Sequence, residues 1–137
     1  MARLIADYFA RVDKFLPVEI VELKDPRVAE NLRTRAESEK ILAAVDPSDR
    51  LVVLDPAGKT WTSQEFAGVV ARHMREDPRR LSFVIGGYAG LSAEVKKRAD
   101  ITWSLSSLTF THDLCRVILL EQIYRALSII YKHPYSK

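Results

Sequence analysis

Three apolar segments of the sequence each lead directly into a short stretch rich in glycine, serine or turn-forming residues. These stretches are residues 54–58, 85–90 and 105–110. In open α/β sheets, ligands bind beyond the carboxyl ends of parallel strands. If the three segments are neighbouring strands, their loops converge on one pocket, where Gly86 and Gly87 allow a ligand to approach the backbone. Taken one at a time, each stretch is also compatible with an ordinary tight turn.

Other kinds of site are poorly supported by the spacing of the residues that could form them. The glycines after residue 85 follow the pattern G-G-x-x-G, which is neither the dinucleotide fingerprint G-x-G-x-x-G nor a P-loop. The three histidines, His73, His112 and His133, stand alone, and Cys115 has no partner cysteine. We therefore expect no metal site. We expect His73 to be solvated on a polar helix and Cys115 to be a buried structural thiol.

The composition predicts one compact domain spanning residues 1–137. Of these residues, 47% are apolar and 28% are charged, which is enough to bury a core. Because there is one cysteine and no N-terminal stretch that resembles a signal peptide, we expect a protein of the reducing cytoplasm. The formal net charge is +3. Positions 1–50 contain nine basic and ten acidic residues, and positions 51–137 contain twelve basic and eight acidic residues. This mild basic bias permits an RNA partner but does not require one.

Predicted helices and strands alternate along the chain. Apolar periodicity and capping residues predict helices over residues 4–16, 27–45, 63–76, 93–99 and 112–131. Short apolar or alternating runs predict strands over residues 18–23, 50–54, 81–85 and 101–105. Residues 55–58 have the composition of a turn. This alternation predicts an α/β domain in which helices flank a largely parallel sheet.

The last predicted helix is apolar on more than one face. Its leucine, valine, isoleucine and tyrosine residues exceed the single stripe that a surface helix buries. Arg116, Glu121 and Arg125 interrupt the apolar run, so the helix is not a membrane span. In a domain of this size the natural second cover is another subunit, and we expect a homodimer. Arg116 and Arg125 face either that subunit or a nucleic-acid backbone.

Five short motifs, distributed over residues 50–135, resemble those of the RlmH (YbeA-like) family. Residues 83–92 contain IGG-x-x-GLS, and residues 103–112 are similar to the family segment SLS-x-x-T-h-x-H. Residues 116–126 match RV-x-x-x-EQ-x-YRA, residues 54–59 match LD-x-x-GK, and residues 133–135 match the closing HPY. The motifs occur in the family's order and with its spacing, which makes the resemblance specific.

The resemblance implies a SPOUT-class methyltransferase, with an α/β fold whose C-terminal part threads a trefoil knot. It implies S-adenosylmethionine as the methyl donor and N3 of a pseudouridine in helix 69 of 23S rRNA, in the assembled 70S ribosome, as the target. It also implies a homodimer. Carried over by position, the cofactor contacts are Leu54, Gly86, Gly87, Leu105, Ser106, Ser107, Leu108, Thr109 and Phe110. These residues lie in the three stretches at the ends of the predicted apolar strands.

The two chain ends depart from the family pattern. The family begins with a strand and a Gly-Lys loop that are shortened here, and it commonly ends HPY-His-Arg where this chain ends HPY-Ser-Lys. His133 and Tyr135 are candidates for positioning the target base, with a helix cap or a packing contact as the alternative. Lys137 joins Arg116 and Arg125 as an RNA-binding candidate. No residue stands out as a general base.

The altered ends leave alternatives to an active enzyme of this kind. One is a catalytically impaired SPOUT protein that binds the ribosome or RNA. Another is a SPOUT methyltransferase with a different RNA substrate. The intact Gly86-Gly87 pair and residues 105–110 favour an active enzyme, because a protein that only binds RNA does not need to keep a cofactor pocket.

Overall fold

The computed structural model describes residues 1–23, 26–87 and 90–135. Its elements follow the order α1 (Ala2–Asp13), α2 (Glu30–Ala44), β1 (Arg50–Lys59), α3 (Ser63–Glu76), β2 (Leu81–Val84), α4 (Ala93–Arg98), β3 (Ile101–Trp103) and α5 (His112–Ile130). The strands form one parallel sheet, which confirms the α/β class. Two compact units are present: a sheet unit (Val21–Thr60 and Arg79–His112) and a helical unit (Met1–Ile20, Trp61–Pro78 and Asp113–Lys137). The single domain expected over the whole chain stays a prediction.

β1 is the central strand of the sheet, with β2 on one side and β3 on the other. It pairs in parallel with β2 in the register that sets Val53 beside Val84, and with β3 in the register that sets Leu54 beside Trp103. Residues 51–53 are almost wholly buried, as expected of a central strand covered on both faces. The hydrophobic core of the sheet unit is built from Ile41, Leu51, Val53, Val84 and Val95.

β1 extends to Lys59, beyond the strand end predicted at Leu54. The register shifts inside this extension, because Leu54 and Lys59 both pair with Trp103. Between them, Oδ1 of Asp55 accepts a hydrogen bond from the N–H of Ala57 at 2.8 Å. The predicted turn is therefore present, but as an irregularity within the strand and not as its end.

A buried carboxylate, that of Asp49, stabilises the edge of the sheet at which the strands begin. Asp49 accepts hydrogen bonds from Nη2 of Arg80 and from Oγ of Ser82, each at 2.8 Å. The Arg80 guanidinium is the main reason why the pKa of Asp49 lies below its usual range. Oδ2 of Asp100 accepts a hydrogen bond from the N–H of Leu51 at 2.8 Å. These bonds tie the start of β1 to the starts of β2 and β3.

The helical unit contains α1, α3 and all of α5 except its first residue, His112. α3 begins with a capping box: Oγ1 of Thr62 accepts from the N–H of Glu65 at 3.0 Å, and Oε1 of Glu65 accepts from the N–H of Thr62 at 2.8 Å. This pairing satisfies two backbone donors that a helix start leaves without partners. The buried apolar residues of the unit include Val12, Phe66, Ala67, Val70, Leu120, Tyr124 and Leu127.

α5 ends in a Schellman-type turn. Lys132 has a positive φ of 54°. The N–H of His133 donates to the carbonyl oxygen of Ser128 at 2.7 Å, and that of Lys132 donates to Ile129 at 3.3 Å. This pair of bonds satisfies carbonyl groups at the end of the helix. Pro134 follows, so the helix ends close to the predicted boundary.

The strand predicted over residues 18–23 is wrong. This segment has no regular secondary structure, and Ile20, Val21 and Leu23 are exposed. Alternation of apolar and polar residues is typical of a strand, but a strand also needs a neighbour to pair with. The N–H of Val18 donates instead to a side chain, Oδ1 of Asp13, at 3.2 Å.

The environments of two side chains also differ from the predictions. His73 is only 6% exposed, so the prediction that it is solvated is wrong. It shares the buried face of α3 with Phe66 and Val70, and its Nδ1 lies 3.6 Å from Oδ2 of Asp77. Cys115 is half-buried where full burial was expected, and burial raises the pKa of its thiol.

The described part of the chain contains neither a helix able to span a membrane nor a metal-binding cluster of side chains. No helix there combines the length and apolar character needed to cross a membrane. In the same residues, no group of three or more His, Cys, Asp or Glu side chains is arranged to hold a metal ion. The expected lack of a metal stays a prediction.

Candidate functional site

The order of the strands places the three predicted loops side by side. Because β1 lies between β2 and β3 and all three are parallel, the carboxyl ends of β2 and β3 lie at one edge of the sheet, beside the irregular stretch of β1 that begins at Leu54, the partner of Trp103. The condition for a shared pocket, that the strands be neighbours, is therefore met. We call the loops at this edge loop A (residues 54–58), loop B (residues 85–90, without residues 88 and 89, which are not described) and loop C (residues 105–110).

Loop A is fixed to α4 by an ion pair. Nζ of Lys96 lies 2.8 Å from Oδ2 of Asp55. The hydrogen bond from Lys96, followed by that from the N–H of Ala57, holds the pKa of Asp55 below its usual value. A Cβ at Gly58 would lie only 2.6 Å from the carbonyl carbon and oxygen of Thr102. Loop A therefore needs glycine at this position, because the backbone passes too close to β3 for any side chain.

Loop B has no free room for side chains at its first two glycines. A Cβ at Gly86 would lie 2.7 Å from Cδ2 of Leu91, and a Cβ at Gly87 would lie 2.9 Å from Oε2 of Glu37. Gly90 has a φ of +82°, and its N–H donates to the carbonyl oxygen of Gly87 at 3.0 Å. The turn thus brings backbone without side chains to the edge of the sheet, as close approach by a ligand requires.

Loop C is shaped by two serines. Oγ of the buried Ser104 donates to the carbonyl oxygen of Ser106 at 2.9 Å, and Oγ of Ser106 accepts from the N–H of Leu108 at 3.0 Å. The N–H of Ser104 donates to the carbonyl oxygen of Lys59, which links loop C to the end of β1. Leu108 is 69% exposed and presents an apolar side chain. The other predicted residues of this loop are half-buried Leu105 and Phe110 and exposed Ser107 and Thr109.

The predicted tail residues lie against α5 within the helical unit. The hydroxyl of Tyr135 donates to Oε2 of Glu121 at 2.9 Å and lies 3.1 Å from the hydroxyl of Tyr8. Burial, followed by these two contacts, raises the pKa of Tyr135 well above its usual range. His133 is exposed and meets Tyr124 edge to face, with ring centroids 6.4 Å apart. The capping and packing contacts given as the alternative are thus present, and a role towards substrate stays a prediction.

The three RNA-binding candidates have different surroundings. Nε and Nη2 of Arg125 both donate to Oε2 of Glu121, at 3.1 and 2.8 Å, and its guanidinium carbon lies 5.1 Å from the centre of the Tyr135 ring. The charge of Arg125 therefore already has a carboxylate partner in this chain. Arg116 is half-buried, and Lys137 lies outside the described residues. Their contact with RNA stays a prediction.

Two carboxylates lie beside predicted site residues but were not identified from the sequence. Glu37 lies beside Gly87, and Glu121 bonds to Arg125 and Tyr135. Glu121 stands four residues before Arg125 on α5, which is the spacing of a helical ion pair and could have indicated it. Glu37 lies far from Gly87 in the sequence, so no local pattern connects the two. Only the packing of α2 in the sheet unit brings them together.

Comparison with known proteins identifies the family. Residues 1–136 match the family described as "Predicted SPOUT methyltransferase", so the chain belongs to the SPOUT methyltransferases and the resemblance seen in its motifs is confirmed. Three of the similar proteins carry the name Ribosomal RNA large subunit methyltransferase H. They come from Syntrophotalea carbinolica (41% identical, covering 95% of this chain and 85% of the relative), Chromobacterium violaceum (42%, 96% and 86%) and Geobacter sulfurreducens (43%, 97% and 88%).

Proposed function

We propose that this protein is an S-adenosylmethionine-dependent methyltransferase that acts on large-subunit ribosomal RNA. Membership of the SPOUT methyltransferases supports the reaction class, and the name shared by relatives that cover most of the chain supports the substrate. The observation in the structure that carries the proposal is the parallel order β2-β1-β3. This order sets loops A, B and C beside one another at the edge where such sheets bind ligands.

The residues of the three loops fit a methyl donor that contains adenosine. Such a ligand needs apolar surface for its purine and a few placed polar groups for orientation. Leu54, Leu108 and Phe110 supply apolar side chains, and Gly86 and Gly87 allow close approach to the backbone. Loop C adds hydroxyl groups and backbone amides. We therefore assign donor binding to the nine loop residues named from the family resemblance.

The bound donor supplies a methyl group on a positively charged sulfur. Transfer to a nitrogen would be an in-line displacement in which the C–S bond breaks as the C–N bond forms, the neutral thioether leaves and the proton of the acceptor nitrogen passes to water. The main task of this chain is therefore to hold donor and acceptor in alignment. Tyr135 does not act as the base in this scheme, because its hydroxyl donates to Glu121 and its raised pKa disfavours the phenolate. Tyr135 instead anchors the tail, and His133 is the candidate for positioning the target base.

The finer proposal for the target is N3 of a pseudouridine in helix 69 of 23S rRNA, within the assembled ribosome. The family motifs support this target. A net charge of +3 offers few phosphate contacts, so binding of free RNA should be weak and should fall with salt. Recognition of the substrate then depends on its shape. We propose that the protein is a cytoplasmic homodimer and that each chain has the family's trefoil knot. In this dimer, Arg116, Arg125 and Lys137 face RNA.

Calorimetry with S-adenosylmethionine tests the cofactor site. We expect the wild-type chain to bind the donor and Gly86→Val to lose binding, because the new side chain meets Leu91 and must displace either Leu91 or the turn that a ligand approaches. A folded Gly86→Val protein that binds as the wild type does would show that the site assignment is wrong.

A further inference from the structure

The carboxylate of Glu37 lies directly against the glycine turn of loop B. Its oxygens Oε2 and Oε1 lie 2.9 and 3.0 Å from the position that a Cβ would take at Gly87. Glu37 is on α2, whose Ile41 belongs to the core of the sheet unit, and only 18% of its side chain is exposed. Burial removes water from a carboxylate, so a nearby positive charge stabilises it.

Within this chain, Glu37 shares a positive partner with another carboxylate. Nη1 of Arg33 lies 3.7 Å from Oε1 of Glu37, while Nε of Arg33 lies 3.3 Å from Oε2 of Glu30. The contact to Glu37 is the longer of the two. Glu37 is thus a mostly buried carboxylate beside loop B, and its contact with Arg33 is long for an ion pair. A positively charged ligand at loop B would offer this carboxylate a further favourable charge.

A ligand that touches Gly87 comes within range of this charge. The Cα–Cβ bond adds about 1.5 Å to the 2.9 Å separation, and a van der Waals contact adds about 4 Å more. The Glu37 carboxylate thus lies within about 8 Å of any ligand atom in contact with the Gly87 Cα. At that separation two unit charges in a partly buried site interact strongly enough to change affinity, because water screens them incompletely.

We infer that Glu37 is a specificity-determining residue of the proposed cofactor site, whose charge favours the sulfonium of the methyl donor over the neutral thioether of the demethylated product. The inference rests on the proposed function. S-Adenosylmethionine and S-adenosylhomocysteine differ by one methyl group and one positive charge. A carboxylate beside loop B therefore binds the donor more tightly by electrostatic attraction and lets the spent product leave.

Calorimetry of Glu37→Gln with both ligands tests the inference. Glutamine keeps the size of the side chain against Gly87 and removes its charge. We expect S-adenosylmethionine to bind roughly tenfold more weakly, which corresponds to about 1.4 kcal/mol, while the affinity for S-adenosylhomocysteine changes by less than about twofold. Glu39→Gln is the matched control, because Glu39 lies on the same helix, is 69% exposed and gives the same change in net charge. It should leave both affinities unchanged.

The outcomes separate this inference from the proposed function. If Glu37→Gln weakens the binding of both ligands equally, Glu37 only shapes the turn. If it changes the affinity for neither ligand, the charge of Glu37 does not reach the ligand. Each of these results overturns the inference and leaves the proposed function standing. A wild-type chain that binds neither ligand overturns the cofactor site as well. If Glu37→Gln does not fold, the wild type decides: raising salt from about 50 to about 500 mM must weaken donor binding more than product binding. Equal weakening contradicts the inference.

Discussion

The hydroxyl of Tyr135 donates to Oε2 of Glu121 at 2.9 Å and so ties the end of the described chain to α5. The same carboxylate oxygen accepts two hydrogen bonds from Arg125. Tyr8 of α1 approaches the Tyr135 hydroxyl at 3.1 Å. One half-buried tyrosine therefore links three parts of the helical unit, and its ionisation gives a direct measure of how firmly the tail is held.

The stability of the wild type should fall more steeply in alkali than that of Tyr135→Phe. Folding raises the pKa of Tyr135 above its ordinary value of 10.0, so beyond that pH the unfolded chain loses the phenolic proton first. The folded state then holds more protons than the unfolded state, and the free energy of unfolding decreases as pH rises. Tyr135→Phe lacks this contribution.

Urea unfolding between about pH 8 and about pH 11 measures this difference. Tyr131→Phe is the control, because the Tyr131 side chain is 52% exposed, and it should follow the wild type. If Tyr135→Phe loses stability with pH as steeply as the wild type does, the phenol is not held in the way described.

Gly58→Ala should destabilise the protein by about 1–3 kcal/mol. The new Cβ would lie 2.6 Å from the backbone of Thr102, which cannot move without displacing β3. Gly68 is the matched control, because it lies within α3 and, among the described residues, nothing beyond its chain neighbours and the backbone of its own helix lies within 4 Å of its Cβ position. Gly68→Ala should stabilise by about 0.5–1 kcal/mol through helix propensity. Denaturant unfolding compares the two, and a fully stable Gly58→Ala protein would contradict the close approach of loop A to β3.

Lys132→Gly should stabilise the protein by about 1 kcal/mol. Lys132 closes the turn after α5 with a φ of 54°, a conformation that a Cβ disfavours and glycine adopts freely. Lys132→Ala removes the same charge but keeps the Cβ, so it should bring no comparable gain. Thermal unfolding distinguishes the two variants. An equal rise in Tm for both would assign the effect to the lost charge and contradict the backbone explanation.

Features fixed by residues close in sequence were predictable. Thr62 and Glu65 have the three-residue spacing of a capping box, and Ser92 is of a residue type that is favoured at a helix start, so each cap could be identified from the local sequence. The apolar run at residues 51–53 likewise predicted a buried strand, because its burial depends on its own composition. The convergence of loops A, B and C needed one further condition, the order of the strands, which the structure supplies.

Features that depend on distant residues were not predictable in the same way. Residues 18–23 alternate as a strand does, but pairing requires a neighbour that composition cannot reveal. His73 is polar, yet its position on the same face of α3 as Phe66 decides its burial. The contact between Glu37 and Gly87 joins a helix to a loop far along the chain, and nothing near either residue indicates it.

Ile123→Glu should convert the proposed homodimer to a folded monomer. Ile123 is half-buried on α5, whereas Leu120 is only 3% exposed within the chain. A charge at Leu120 would therefore disturb the fold itself, and Ile123 is the better position for the test. Sedimentation at micromolar concentration measures the state of association, with Ile123→Val as the apolar control. A wild-type chain that sediments as a monomer would contradict the dimer.

The most direct test of the central claim is transfer of a labelled methyl group from S-adenosylmethionine to ribosomal RNA in three forms. These are assembled 70S ribosomes, free 23S RNA and a short helix 69 hairpin, all without the modification. We expect label in the assembled ribosomes, located by mass spectrometry at N3 of a pseudouridine in helix 69, and little or none in the two free RNAs. Ribosomes that stay unlabelled by a protein that binds the donor, or a hairpin labelled as well as the ribosome, would contradict the account.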